Sequence, residues 1–138
     1  MGQILHLYNK HIYIQAHWFS SILFVQCIGV ALTPEMKEAV DKFVSSNKVV
    51  LFMKGNKLFP QCGFSNTVVQ ILNSLNVPYE TVDILANEQM RSAMKIYSSW
   101  PTFPQLYIDG EFFGGCDVTL EAFKSDEIQE VIEKTMCY

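Results

Sequence analysis

No two cysteines of this sequence stand close enough along the chain to act as a local pair. The four, Cys27, Cys62, Cys116 and Cys137, are scattered over 138 residues. That spacing excludes a zinc motif built from paired ligands. It also leaves Cys62 without the second thiol of a Cys-x-x-Cys pair, because "CGFS" puts Ser65 at the resolving position. An even cysteine count is compatible with two disulfides. With 49% of its residues apolar, however, the chain can fill a core without covalent staples, which suits a reducing compartment. Positive charge is scarce too. Ten Lys and Arg against fourteen Asp and Glu leave a net charge of −4, so a broad nucleic-acid surface is excluded.

Charge is almost missing from residues 1–31, where Lys10 stands alone beside the three histidines. The stretch Trp18 to Leu32 is apolar but interrupted by Ser20, Ser21 and Gln26. The window Ile12 to Leu32 has the length of a membrane span, roughly 20 residues, with middling hydrophobicity. A secretory signal would begin with more basic residues, and an organelle transit peptide would be rich in Ser and Arg. His6 breaks the myristoylation pattern in "MGQILH". Three readings stay open for this atypical leader: a targeting or irregular segment, a membrane contact, or an extra structural element. The length allows one domain of about 100 residues beside it, taken as 32–138.

Order is expected from Thr33, a suitable N-cap, and Pro34, a suitable first helical residue. Met36, Ala39, Val40, Phe43 and Val44 then recur at helical spacing. "KVVLFMKG" is a continuous apolar run that fits a strand buried on both faces. Val68, Val69, Ile71, Leu72 and Leu75 mark a second helix that stops before Pro78. "YETVDIL" reads as the next strand, and Met90, Ala93, Met94 and Tyr97 as a third helix. "QLYIDGEFFGG" is a hairpin turning at Asp109-Gly110. A final helical stretch follows, with Ser125 as an N-cap inside it and Ile128, Val131 and Ile132 facing inward. The order α-β-α-β-α-β-β-α predicts a small mixed sheet with helices on both faces.

Chemistry concentrates around Cys62, which falls between the first strand and the second helix. Unpaired N–H groups and the positive end of the helix dipole favour an anion there and depress a thiol's pKa. Gly63 allows close backbone approach of a ligand, Phe64 shields one side of the sulfur, and Ser65 can donate a hydrogen bond. Lys54 and Arg91 by themselves read as solvated charges and become binding candidates only if the pocket takes a carboxylate. In "WPTFP" the Phe103–Pro104 bond is a candidate cis peptide, against the plainer reading of a Pro-rich connector. "GGCD" opens the last helix, with Asp117 as N-cap. Cys137 reads as an incidental exposed thiol.

Taken in order, Lys54, the CGFS of residues 62–65, Arg91, WPTFP and GGCD resemble a monothiol glutaredoxin of the CGFS class. The resemblance is greatest to the single-domain plastid form of plants and covers about Ala31 to Tyr138, "ALTPEMKEAV" and "VIEKTMCY" included. It implies an α/β, thioredoxin-like (glutaredoxin) fold with a four-stranded mixed sheet and helices on both faces. It implies glutathione in an extended groove. Lys54 and Arg91 would hold its glycine carboxylate and the Phe103 backbone would pair with its cysteinyl part, with Thr102 and Pro104 also in the glutathione site. Cys116 and Asp117 would take the γ-glutamyl end, with Gly63 and Phe64 flanking the thiol. It further implies a [2Fe-2S] cluster bridging a homodimer, with Cys62 of each chain and two glutathione thiolates as ligands. The implied function is a cluster carrier serving iron–sulfur acceptor proteins and redox homeostasis. The alternative is a glutathione-dependent thiol-disulfide oxidoreductase acting through Cys62, with Cys116 as a distant resolving thiol. A third is a regulatory partner of BolA-like proteins or a membrane transporter. The domain implies the chloroplast; the leader, unlike the Ser-rich transit peptides of those relatives, keeps cytosol and mitochondrion as alternatives.

Overall fold

Thr33 and Pro34 start the first helix as their chemistry requires. The Thr33 hydroxyl accepts a hydrogen bond from Met36 N–H at 3.2 Å, and Pro34 needs no N–H partner. The computed structural model describes residues 32–137, so the readings made for residues 1–31 lie outside it. Helix α1 (Pro34–Ser46) buries Val40 and Val44, one turn apart, against the sheet. Its buried stripe is narrower than the spacing suggested: Ala39 and Phe43 are exposed and Met36 half-buried.

Strand β1 (Val49–Met53) is buried at every residue and lies at the centre of the sheet. Val49, Leu51 and Met53 face one core, while Val50 and Phe52 face another on the opposite side. Covering both faces is what makes this strand a continuous apolar run rather than an alternating one. From it the chain crosses through α2 (Gly63–Ser74) to β2 (Glu80–Asp83), parallel to β1. Helix α3 (Glu88–Ser98) leads to β3 (Gln105–Ile108), antiparallel to β1, and a hairpin to β4 (Glu111–Gly114). Asp109 and Gly110 both take positive φ (53° and 80°), as the twist of a two-residue hairpin demands. The order across the sheet is β2-β1-β3-β4. Strand β2 is shorter than "YETVDIL", with Tyr79 and Ile84 buried just outside it.

The last helical stretch is two helices, α4 (Cys116–Lys124) and α5 (Glu127–Met136). Ser125, expected to begin a helix, instead ends α4, its N–H donating to Glu121 C=O at 3.1 Å. Asp126, at φ 61°, turns the chain into α5. Phase explains the break. On one unbroken helix Ile128 would point roughly 120° away from Ala122, and only one of them could reach the core. With the break, Ala122, Ile128 and Ile132 all join the cluster around Leu51 and Leu72. Asp117 is likewise not the N-cap of α4: Gly115 holds that position, and Asp117 lies in the first turn, where its carboxylate faces the helix dipole.

Helices α1 and α3 are tied by a polar contact. The Tyr97 hydroxyl donates to Asp41 Oδ1 at 2.6 Å, and Lys37 Nζ donates to Asp41 Oδ2 at 2.9 Å. The Tyr97 hydrogen bond, with Lys37 adding to it, holds the Asp41 pKa below the usual carboxylate value. A lowered carboxylate contributes stability above its unfolded pKa of about 4 and loses it as pH falls through the folded value. The Asp41→Asn variant should therefore trail the native chain at pH 7 by less than about 1 kcal/mol, as befits an exposed pair. That gap should close below about pH 4, and denaturant unfolding at both pH values measures it.

Candidate functional site: a thiol at the head of a cationic groove

Where β1 ends, the chain makes a closed turn before α2. Gly55 adopts φ +88°, with its N–H on Asp83 Oδ1 at 3.0 Å. The Asn56 side-chain oxygen accepts from Leu58 and Phe59 N–H, both at 2.9 Å, and Gln61 N–H returns to Lys54 C=O at 2.9 Å. Lys57 pins the turn from outside, donating to Tyr79 C=O at 3.1 Å. The turn thus delivers Cys62 to the N-cap position of α2, in extended backbone.

No cap hydrogen bond is closed by the Cys62 side chain, yet its surroundings favour the thiolate. The Ser65 N–H contributes most to lowering the pKa, opposed by partial burial and helped by the Phe64 N–H and the Lys54 charge. The Ser65 side chain is wholly buried, and its oxygen accepts from Lys54 N–H at 3.2 Å. Position 65 therefore fastens the end of β1 to the start of α2. Phe64 is 63% exposed, on the rim of the site rather than over the sulfur.

A groove of about 490 Å³ runs away from Cys62. One wall is α3, whose Arg91 and Lys95 face it one helical turn apart, with Lys54 completing the cationic end. A second wall is the segment Trp100, Pro101, Thr102, Phe103 and Pro104, in which the Phe103–Pro104 peptide is cis. Its shape is held from behind. The buried Gln105 amide donates to Trp100 C=O (3.0 Å) and Thr102 C=O (3.2 Å), while Ser98 Oγ accepts from Trp100 N–H at 3.1 Å. Gly115, Cys116 and Asp117, at the start of α4, line the groove as well. Gly115 is closely confined, since a Cβ there would lie 3.0 Å from Trp100 Nε1.

Nine of the ten residues singled out from the sequence meet in this groove: Lys54, Cys62, Phe64, Arg91, Thr102, Phe103, Pro104, Cys116 and Asp117. Gly63 does not line it; a Cβ on Gly63 would meet nothing within 4 Å, so its side of the helix start is open. Lys95 and Gly115 were missed. Lys95 was findable as the residue four beyond Arg91, whereas Gly115 needed the path of Trp100. The charges suit a small zwitterionic peptide. The three ion pairs among the described residues leave out Lys54, Arg91 and Lys95, and the buried Arg91 Nε has no partner. Asp117 and the α4 N-terminus line the same groove.

Cys62, Cys116 and Cys137 are free thiols. Cys116 shares the groove, but burial, then the Asp117 carboxylate, push its pKa up. Iodoacetamide at pH 7 should accordingly label Cys62 first among the described cysteines and Cys116 more slowly, as timed by peptide mass spectrometry. Among the described residues no three His, Cys, Asp or Glu side chains converge on a possible metal position.

A thiol at the crossover of a β2-β1-β3-β4 sheet, with helices on both faces, defines the thioredoxin-like fold of glutaredoxins. The glutaredoxin family profile matches residues 49–113. The chloroplastic monothiol glutaredoxin-S14 of Arabidopsis thaliana is 66% identical over 112 residues, covering 81% of this chain and 65% of that protein. The chain thus spans just under two thirds of that relative's length. A monothiol glutaredoxin of Synechocystis, ycf64-like, is 54% identical over 74% of this chain and 95% of its own. The solution structure of reduced apo GrxS14 from poplar superposes with a TM-score of 0.69 at 70% identity, covering 78% of this chain and 98% of that one. The chain belongs to the monothiol glutaredoxins.

Proposed function

We propose that this chain binds glutathione in the groove and, as a pair of copies, carries a [2Fe-2S] cluster that it passes to acceptor proteins. The observation behind this reading is the single thiolate-favouring cysteine at the groove head, whose neighbour at position 65 is a buried hydroxyl already engaged by Lys54 N–H. Such a thiol has no local partner with which to close a disulfide. A [2Fe-2S] centre takes four thiolates. One chain offers Cys62, a second copy offers its own, and two glutathiones supply the rest. A cargo held by borrowed ligands leaves readily.

In this reading Lys54 and Arg91 hold the glycine carboxylate by charge-assisted hydrogen bonds. The Phe103 backbone, flanked by Thr102 and Pro104, pairs with the cysteinyl residue in β-strand fashion. Cys116 and Asp117 receive the γ-glutamyl end, where helix N–H groups suit a carboxylate and Asp117 suits an ammonium. The open side of Gly63 leaves room for the second copy. The acceptors are iron–sulfur proteins, BolA-like proteins are candidate partners, and the chloroplast is the proposed location, supported by the plant relative's description as chloroplastic.

One observation favours a second reading, weak glutathione-dependent oxidoreduction: Cys116 lies in the same groove as Cys62. There the Cys116 thiolate would attack Cys62 sulfur in a Cys62–glutathione mixed disulfide, releasing glutathione as thiolate and leaving a Cys62–Cys116 disulfide. Anaerobic reconstitution with iron, sulfide and glutathione separates the two. A glutathione-dependent [2Fe-2S] absorption and visible dichroism on a dimer by light scattering is the expected result. A colourless monomer that turns over glutathione mixed disulfides, and loses that activity on Cys116→Ser, would favour the second.

A further inference from the structure

The cationic end of the groove carries more charge than one carboxylate needs. Lys54, Arg91 and Lys95 all line the groove, and none forms an ion pair among the described residues. Arg91 and Lys95 lie four residues apart on α3, a rise of about 6 Å along the helix axis. Arg presents a rigid planar fork, whereas Lys is a point charge on a flexible stem that can follow its partner. A carboxylate displaced along this wall exchanges part of one cation's field for the other's. The groove lining holds the apolar Trp100 and Pro101 as well, so these three cations are what it offers a carboxylate by charge.

Building on the glutathione reading, we infer that this end recognises charge and not reach. The groove accepts γ-glutamylcysteinyl peptides whose C-terminal residue is one methylene longer than glycine, with Lys95 as the residue that confers the tolerance. A pocket shaped to its ligand discriminates a single methylene by about tenfold or more. A field spread over a helical turn does not.

Titration calorimetry of the full chain with S-methyl peptides tests this without redox chemistry. The probes are S-methylglutathione, its β-alanine homologue, and its glycinamide, which lacks the terminal charge. The expected result is a β-alanine peptide within about threefold of S-methylglutathione, and an amide at least tenfold weaker. In Lys95→Gln the ratio between the two acids should open to fivefold or more. A ratio above threefold in the native chain overturns the inference. So does a Lys95→Gln variant that weakens both acids equally, which marks Lys95 as a general cation. A variant with unchanged affinities and a lower Tm also overturns it, since Lys95 would then be serving the α3 dipole alone. If the native chain binds none of the three peptides, the glutathione reading itself fails. Binding of S-methylglutathione without its homologue defeats the tolerance alone.

Discussion

Cys62→Ser will give a folded chain that takes up no iron–sulfur cluster. The fold should survive because position 62 is the N-cap of α2, where serine is among the best residues and can close the side-chain cap bond that Cys62 leaves open. The cluster should be lost entirely, because a hydroxyl at neutral pH is no thiolate and the described residues hold no alternative set of metal ligands. Far-UV dichroism and thermal unfolding check the first half, and visible absorption after anaerobic reconstitution checks the second. Cys116→Ser is the companion, expected to keep most of its colour, since its thiol's raised pKa disfavours the ligating form. Colour persisting in Cys62→Ser would remove the basis of the carrier reading.

Gly55→Ala should be the most damaging single methyl in the loop. At φ +88° an L side chain is strained in any surroundings. Here the added Cβ would also stand 2.4 Å from Phe59 O and 2.9 Å from Gln61 N, both backbone atoms of the turn that returns the chain to Cys62. The neighbours cannot yield without opening the Gln61-to-Lys54 hydrogen bond. A loss of about 3 kcal/mol is expected in denaturant unfolding. Gly63→Ala, eight residues further along the chain, is the control: its Cβ meets no atom within 4 Å, and alanine suits a helix better than glycine. Its stability should be unchanged or up to about 1 kcal/mol higher. Comparable losses in both variants would show that helix-start backbone, rather than the loop's packing, sets the cost.

Much of this protein was legible in its sequence because the determinants are local. Thr33 and Pro34 carry their own capping chemistry, and Asp109-Gly110 carries the φ values its hairpin needs. The unbroken run from Val49 to Met53 announces a strand covered on both sides. The series from Lys54 to Asp117 carries the family, since each motif holds a recognisable residue pattern at its own place in the order. What the sequence left open depends on groups distant along the chain. Ser125 marked the place of the break in the last helical stretch, but not that it would end one helix and leave Asp126 to start the next, a turn that lets Ala122 and Ile128 both reach one core. Ala39 and Phe43 share the helical spacing of Val40 and Val44, but the sheet leaves room for only the narrower stripe. Gly115 counts as part of the site only where Trp100 packs against it, and Gln105 matters only where its amide meets the carbonyls of Trp100 and Thr102. Local dihedral and capping preferences are properties of a few neighbouring residues; burial, helix phase and the convergence of charge on a groove are properties of the packed chain.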